Sequence, residues 1–235
     1  LNNAYGSLLY RRGKVQESEI FFRKAVEKLT RSNPNPEDGE PLYNLGLCLK
    51  FQKRYGEAYD AFYKATWNGA WQDPAFYQLA CIACIQKDYS LALEHIERSI
   101  VRNYHNMKAR NLKAALLRKL GRYQEAQKWL EQGFAIDILD LTGRYEMQFL
   151  QEEMGIEGDD WAKKADEILA GNSQTYLETA IDYLEAGMTE EVEAILLRAK
   201  GLHSNSREVY PLIHYYLAYC SLQKGETEKA EQRIQ

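Results

Sequence analysis

Three short segments of this chain repeat one another at a constant interval. RYGEAYDAFYKA (54–65), DYSLALEHIERS (88–99) and RYQEAQKWLEQG (122–133) align on Ala58, Ala92 and Ala126, each 34 residues after the last. A fixed period of roughly 20–50 residues marks an array of small units that bury their apolar faces against one another, with no single central core. Twelve residues before each alanine stand Gly46, Ala80 and Ala114, all small. Four after it come Phe62, Ile96 and Leu130, all large, and seven after it Ala65, Ser99 and Gly133, small again. The steps of four and three keep these positions on one helical face. Tyr55, Tyr89 and Tyr123, three before the alanines, each begin a second helix after a short turn. One unit is therefore helix, tight turn, helix, with small residues where the two cross and a large one filling the gap.

The ruler extends in both directions. Ser18 takes the anchor slot toward the start, with Gly6, Gly13, Phe22 and Ala25 around it, and the turn-rich SNPNPEDGEP accounts for the longer step to Ala58. Toward the end, Val192 is framed by Ala180, Gly187, Leu196 and Ala199, and Ala230 by Ala218, Gly225 and Ile234. Between them residues 141–171 hold a degenerate unit. Gln148, Asp160, Lys164 and Glu167 fall where small or apolar residues belong, while Gly155, Trp161, Ala162, Ala165, Ile168 and Leu169 predict a helical pair in shifted register. The pattern predicts one all-α solenoid over residues 1–235, with units near 1–32, 39–72, 73–106, 107–140, 141–172, 173–207 and 211–235. The last unit stops inside its second helix and the chain opens on Leu1 instead of Met, so a fragment of a longer chain is expected.

Composition agrees with helices and narrows the partners. The chain is 45% hydrophobic and 27% charged with only 5 prolines, which argues against disorder. Its 30 Lys+Arg against 34 Asp+Glu, net charge -4, provide no broad positive field for nucleic acid or anionic lipid. No run reaches the roughly 18–20 apolar residues that span a bilayer as a helix. Cys48, Cys81, Cys84 and Cys220 lie in helix-like apolar stretches and not in a loop-rich disulfide framework, so a reducing, cytoplasmic setting is expected.

The segment LYNLGLCLKFQKRYGEAYDAFYKA (42–65) resembles the tetratricopeptide repeat, whose signature is Leu-Gly then an aromatic on the first helix and Ala, Phe and Ala on the second. An early tryptophan and most unit-final prolines are missing. The resemblance implies a right-handed α-α superhelix of about seven helix-turn-helix units, acting as a non-catalytic module for protein–protein interaction. More narrowly, residues 65–100 and 109–126 are similar to the repeat region of bacterial proteins in which such repeats follow a β-sandwich domain. That similarity implies an alternative role, an auxiliary region of a carbohydrate-active protein whose active site lies in a domain outside this chain.

No residue pattern points to chemistry. Cys81 and Cys84 form CIAC, but mid-helix and without a second pair, where small-apolar packing is the plainer meaning than redox or zinc. His95, His105, His203 and His214 have no metal-ligand spacing, and the pairs Asp159/Asp160 and Glu152/Glu153 read as solvated faces or helix-end charges. No phosphate loop or nucleophile elbow occurs. Neither enzyme activity nor a cofactor or metal is expected.

Binding has a structural basis. The resemblance puts the first helix of each unit on a concave face, and slots fifteen, eleven and eight before each anchor share one stripe of that helix. The stripe predicts partner-binding residues Tyr43, Leu47, Lys50, Tyr77, Asn111, Arg118, Tyr145, Phe149, Tyr215 and Tyr219, contacting a peptide, a protein or a neighbouring domain. Tyrosine offers a flat apolar face and a hydroxyl, which suits recognition; the competing meaning is that these tyrosines pack between units. Lys50, Arg118 and Lys119 read either as a local positive spot or as a solvated face. Some related co-chaperones grip an acidic C-terminal tail with Lys and Asn one turn apart. Asn3 with Ser7, Tyr43 with Leu47, Tyr77 with Cys81 and Asn111 with Ala115 occupy those slots here, so binding of chaperone tails is not expected.

Overall fold

The computed structural model describes residues 1–31, 33, 36, 38–169, 172–202 and 211–234. Among these lie fourteen α-helices and no strand. They pair as α1 (Asn2–Arg11) with α2 (Val15–Thr30), α3 (Glu40–Phe51) with α4 (Tyr55–Ala65), and α5 (Gln72–Ile85) with α6 (Tyr89–Arg102). Next come α7 (Met107–Lys119) with α8 (Tyr123–Ile136), α9 (Leu141–Met154) with α10 (Trp161–Leu169), α11 (Ser173–Glu185) with α12 (Thr189–Leu202), and α13 (Pro211–Gln223) with α14 (Thr227–Ile234). A short 3₁₀ turn, Gly69–Trp71, leads into α5. His203 lies outside the described residues.

Each turn inside a pair is built the same way. The residue five before the anchor has positive φ: Gly13 (74°), Lys53 (60°), Lys87 (64°), Gly121 (71°), Gly187 (70°) and Gly225 (78°). The next amide reaches back to a carbonyl of the first helix, as in Arg54 N–H to Leu49 O at 3.0 Å and Arg122 N–H to Leu117 O at 2.9 Å. This left-handed cap satisfies carbonyls that the helix end would otherwise leave bare and turns the chain back on itself. The degenerate unit keeps it, with Gly155 at φ 64° and Ile156 N–H on Gln151 O at 3.1 Å.

Contacts group the chain into two compact units, Leu1–Ala109 and Arg110–Gln235. In the first, Phe22, Leu45, Leu49, Ala58, Phe62, Phe76, Leu79 and Ile82 form a buried core. Gly46 of α3 lies under the Phe62 ring of α4, where an added Cβ would stand 2.7 Å from the ring. Gly6 and Phe22 repeat the contact at 2.8 Å. Burying side chains of this size stabilises by about 1.5–3 kcal/mol each. Ser18 replaces the anchor alanine at no polar cost, because its hydroxyl donates to Val15 O at 2.7 Å within helix α2. Helix α5 is buried without interruption from Ala75 to Cys84, packed on both α4 and α6.

In the second unit the odd residues of the degenerate repeat have specific work. Its turn is lengthened to Gly155–Asp160, against Gln52–Arg54 in the second repeat, which shifts α10 along the chain. The Gln148 side chain accepts from Trp161 N–H at 3.0 Å and Ala162 N–H at 3.3 Å, and Asp160 accepts from Lys163 N–H at 2.8 Å. Both cap the start of α10. Asp166 on α10 receives the Tyr145 hydroxyl at 2.8 Å, the Tyr176 hydroxyl at 2.7 Å and Arg198 Nε at 2.5 Å, tying α9, α10, α11 and α12 together.

Candidate protein-interaction surface

First helices lie side by side within each unit: α1 packs on α3, α9 on α11, and α11 on α13. In the first unit, where all of α2, α4 and α6 is described, the successive second helices meet more sparsely. There α1 and α3 lie closer together than α2 and α4 do.

Along those helices, the predicted stripe proves to be mainly the seam between successive repeats. Slot eight before the anchor reaches the next first helix in the same way in both units. Lys50 Nζ donates to Gln78 at 2.8 Å, and Arg118 Nε to Glu146 at 2.5 Å, in each case 28 residues on. Slot fifteen behaves alike, with Asn3 accepting from Asn44 at 3.0 Å and Asn111 donating to Asp140 at 2.7 Å. Consequently Tyr77 (7% exposed), Asn111, Arg118 (2%) and Tyr145 (1%) are buried and offer no open surface to a partner. This corrects the reading of these four as contact residues: a first helix inside a stack has neighbours on three sides, and a stripe chosen by spacing alone straddles the seam. Tyr43, Leu47, Lys50, Phe149 and Tyr219 stay half-buried, and Tyr215 is 55% exposed. Tyr43 also packs on Phe62 (5.5 Å) and Trp71 (5.0 Å), ring centre to ring centre.

Sequence reasoning passed over the residue that is most open on this side. Phe51, one position beyond Lys50, is 68% exposed, with the Tyr10 ring 6.3 Å away in an edge-on arrangement. The open line on α3 runs through Asn44, Leu47 and Phe51, rotated by about one residue from the predicted stripe. The signal was a phenylalanine at the end of a first helix, where the outer repeats carry Arg11 and Gln223.

Electrostatics in the second unit centre on Arg118. Its guanidinium bonds Glu146, Glu191 (2.9 Å) and Glu153, and the Tyr183 hydroxyl adds a bond to Glu146 at 2.8 Å. Burial alone would lower the Arg118 pKa, but Glu146 and Glu191 outweigh it and hold the guanidinium charged. Lys119 meets Glu191 at 2.6 Å. Of the basic residues read as a positive spot or a solvated face, Arg118 and Lys119 are thus matched by buried carboxylates, while Lys50 meets the Gln78 amide. Both thiols of CIAC are buried as well. Burial first, then the neighbouring Cys81, pushes the Cys84 thiol far up, the reverse of a reactive cysteine. Among the described residues no group of three His, Cys, Asp or Glu side chains is placed to hold a metal, and no helix is long and apolar enough to cross a membrane.

A two-helix unit, repeated with a left-handed cap and a small-against-large crossing, defines an all-α helical repeat protein. Residues 77–134 and, separately, 39–66 match the sequence pattern of the tetratricopeptide repeat. Solved structures share the fold. A tetratricopeptide repeat protein from Parabacteroides merdae superposes with a TM-score of 0.62 at 16% identity, covering 99% of this chain and 89% of that one. A structure of MamA gives 0.61 at 17% identity over 72% of this chain and 96% of that chain. Pseudomonas aeruginosa pilF gives 0.55 at 10% identity over 99% and 86%. Repeats of this type generally serve as protein–protein interaction modules.

Proposed function

We propose that this chain is a non-catalytic interaction or scaffolding module that binds a peptide or a neighbouring domain along the first-helix face of its Leu1–Ala109 unit. The observation that carries the reading is the open apolar line there: Phe51 at 68% exposure beside Tyr10, with Leu47 one turn before it and Lys50 next to it. Clustered aromatic and aliphatic side chains are the usual anchors of a protein interface, and a lysine at the edge suits an acidic group in the partner. Tyr43 and, in the second unit, Phe149, Tyr215 and Tyr219 extend the set of contact candidates. A near-balanced charge and the absence of the Lys and Asn clamp favour a protein partner over nucleic acid, membrane or chaperone tails. A reducing compartment fits four cysteines that form no disulfide. The alternative, an auxiliary repeat region of a carbohydrate-active protein, draws on the resemblance of residues 65–100 and 109–126 alone.

The test is quantitative capture of partners from source-cell extract by the full chain, by Leu47→Asp/Phe51→Asp and by Cys81→Ser as a buried control. The double variant is expected to keep its helicity and lose the specific partners; unchanged capture would sink the proposal.

A further inference from the structure

On the opposite side of the Leu1–Ala109 unit, a groove of roughly 670 Å³ opens between α4 and α6, over the start of α5. Tyr63 and Trp67, the latter 52% exposed, make one wall, and Phe76 lies beneath. The guanidinium of Arg98 sits over the Phe76 ring, 4.2 Å from its centre, and Arg102 follows one turn later on the same helix. Neither arginine forms a hydrogen bond or an ion pair with the described residues, unlike Arg23, Arg54, Arg118 and Arg198, which all meet carboxylates. Gln72 lines the same groove and keeps its side-chain oxygen buried with no donor among the described residues.

These features ask for one kind of occupant. A stacked guanidinium is held in place before any ligand arrives, so fewer rotamers are lost when it takes up a carboxylate. Aromatic walls with an exposed tryptophan favour an aromatic or large aliphatic side chain. A buried acceptor without a donor costs on the order of 1–3 kcal/mol until an N–H reaches it. Two acids also line the groove. Glu97 is already engaged within the chain, and Glu94 lies a turn before Arg98, so the basic end is the one toward Arg102. We propose that this groove binds a peptide segment of another protein in which an aromatic residue is followed by acidic ones. The aromatic ring lies against Tyr63 and Trp67, the carboxylates reach Arg98 and Arg102, and a backbone N–H reaches Gln72. The site is separate from the first-helix face and does not depend on it.

Three short labelled Gly/Ser peptides with central Phe-Asp-Glu, Phe-Lys-Lys or Ala-Asp-Glu, titrated with the full chain and followed by fluorescence anisotropy, test this directly. The Phe-Asp-Glu peptide is expected to bind, more weakly at high salt, and the other two at least about tenfold less well. Arg98→Gln/Arg102→Gln and Trp67→Ala, each checked for native helicity and melting, are expected to weaken binding by about tenfold or more. Leu47→Asp/Phe51→Asp is expected to leave it unchanged, which separates this groove from the first-helix face. Absence of binding, equal binding of Phe-Lys-Lys, or binding that survives the arginine changes would overturn the proposal.

Discussion

Gly46 and Phe62 are matched by size: the ring of Phe62 lies so close over Gly46 that a Cβ added there would stand 2.7 Å from it. Gly6 and Phe22 form the same match in the first repeat. Where the small slot holds alanine, the large slot holds a slimmer aliphatic residue, as in Ala80 with Ile96, Ala114 with Leu130 and Ala180 with Leu196. Gly46→Ala is therefore expected to destabilise by about 1–2 kcal/mol, overpacking outweighing the better helix propensity of alanine. Gly46→Ala/Phe62→Leu, which copies the other repeats, should recover most of the loss. Chemical denaturation of the two variants and wild type checks both statements.

Two of the turns put lysine where the others put glycine. Lys53 and Lys87 have φ of 60° and 64°, a region that costs a side-chain-bearing residue roughly 1–2 kcal/mol. Glycine removes that strain but adds freedom to the unfolded chain, so Lys53→Gly and Lys87→Gly should each stabilise by about 0.5–1 kcal/mol. Thermal melts of the single and double variants measure this. Both lysines are exposed, so no packing is lost.

Arg118 holds three carboxylates, two of them buried. Arg118→Met leaves Glu146 and Glu191 without their main counter-charge and is expected to cost about 3–5 kcal/mol. Arg118→Met/Glu146→Leu should cost clearly less than the single change, because one of the stranded carboxylates is removed with the arginine. Unfolding free energies from a double-mutant cycle give the coupling.

Glu193 provides a pH dependence. Burial alone would raise its pKa, but hydrogen bonds from Lys224 and Arg233 prevail and lower it to about 2. A carboxyl depressed in the folded state contributes stability above its ordinary value of 4.5 and loses it as the pH falls toward about 2. The contribution is expected to be on the order of 1–3 kcal/mol. Unfolding midpoints measured across that window should fall, and Glu193→Gln should flatten this part of the profile.

The repeats were legible because their contacts follow fixed sequence offsets: the anchor alanines, the crossing slots and the turn glycines each translate into one contact. Helix boundaries of the degenerate unit were less so, since the longer Gly155–Asp160 turn shifts every later offset, and Gln148 departs from the pattern because it caps α10. The open line on α3 lies about one residue out of phase with the predicted stripe. Periodicity gives a helical face, but not whether that face meets solvent or the next helix. Arg118 illustrates the difference: on a lone amphipathic helix it belongs to the solvated face, and only the stacking of repeats brings Glu146, 28 residues on, against it. Phe51 and the Arg98 and Trp67 groove depend on which neighbours are absent, and no spacing rule encodes that.

Binding through the first-helix face of the Leu1–Ala109 unit is tested most directly by site-specific photo-crosslinking. A photoreactive phenylalanine analogue replaces Phe51 in the full chain, with another at the exposed Glu131 of α8 as reference. After irradiation in source-cell extract, adducts are compared by mass spectrometry. Position 51 is expected to capture a discrete protein partner that position 131 does not, and Leu47→Asp to abolish the adduct. Indistinguishable adducts from the two positions would contradict it.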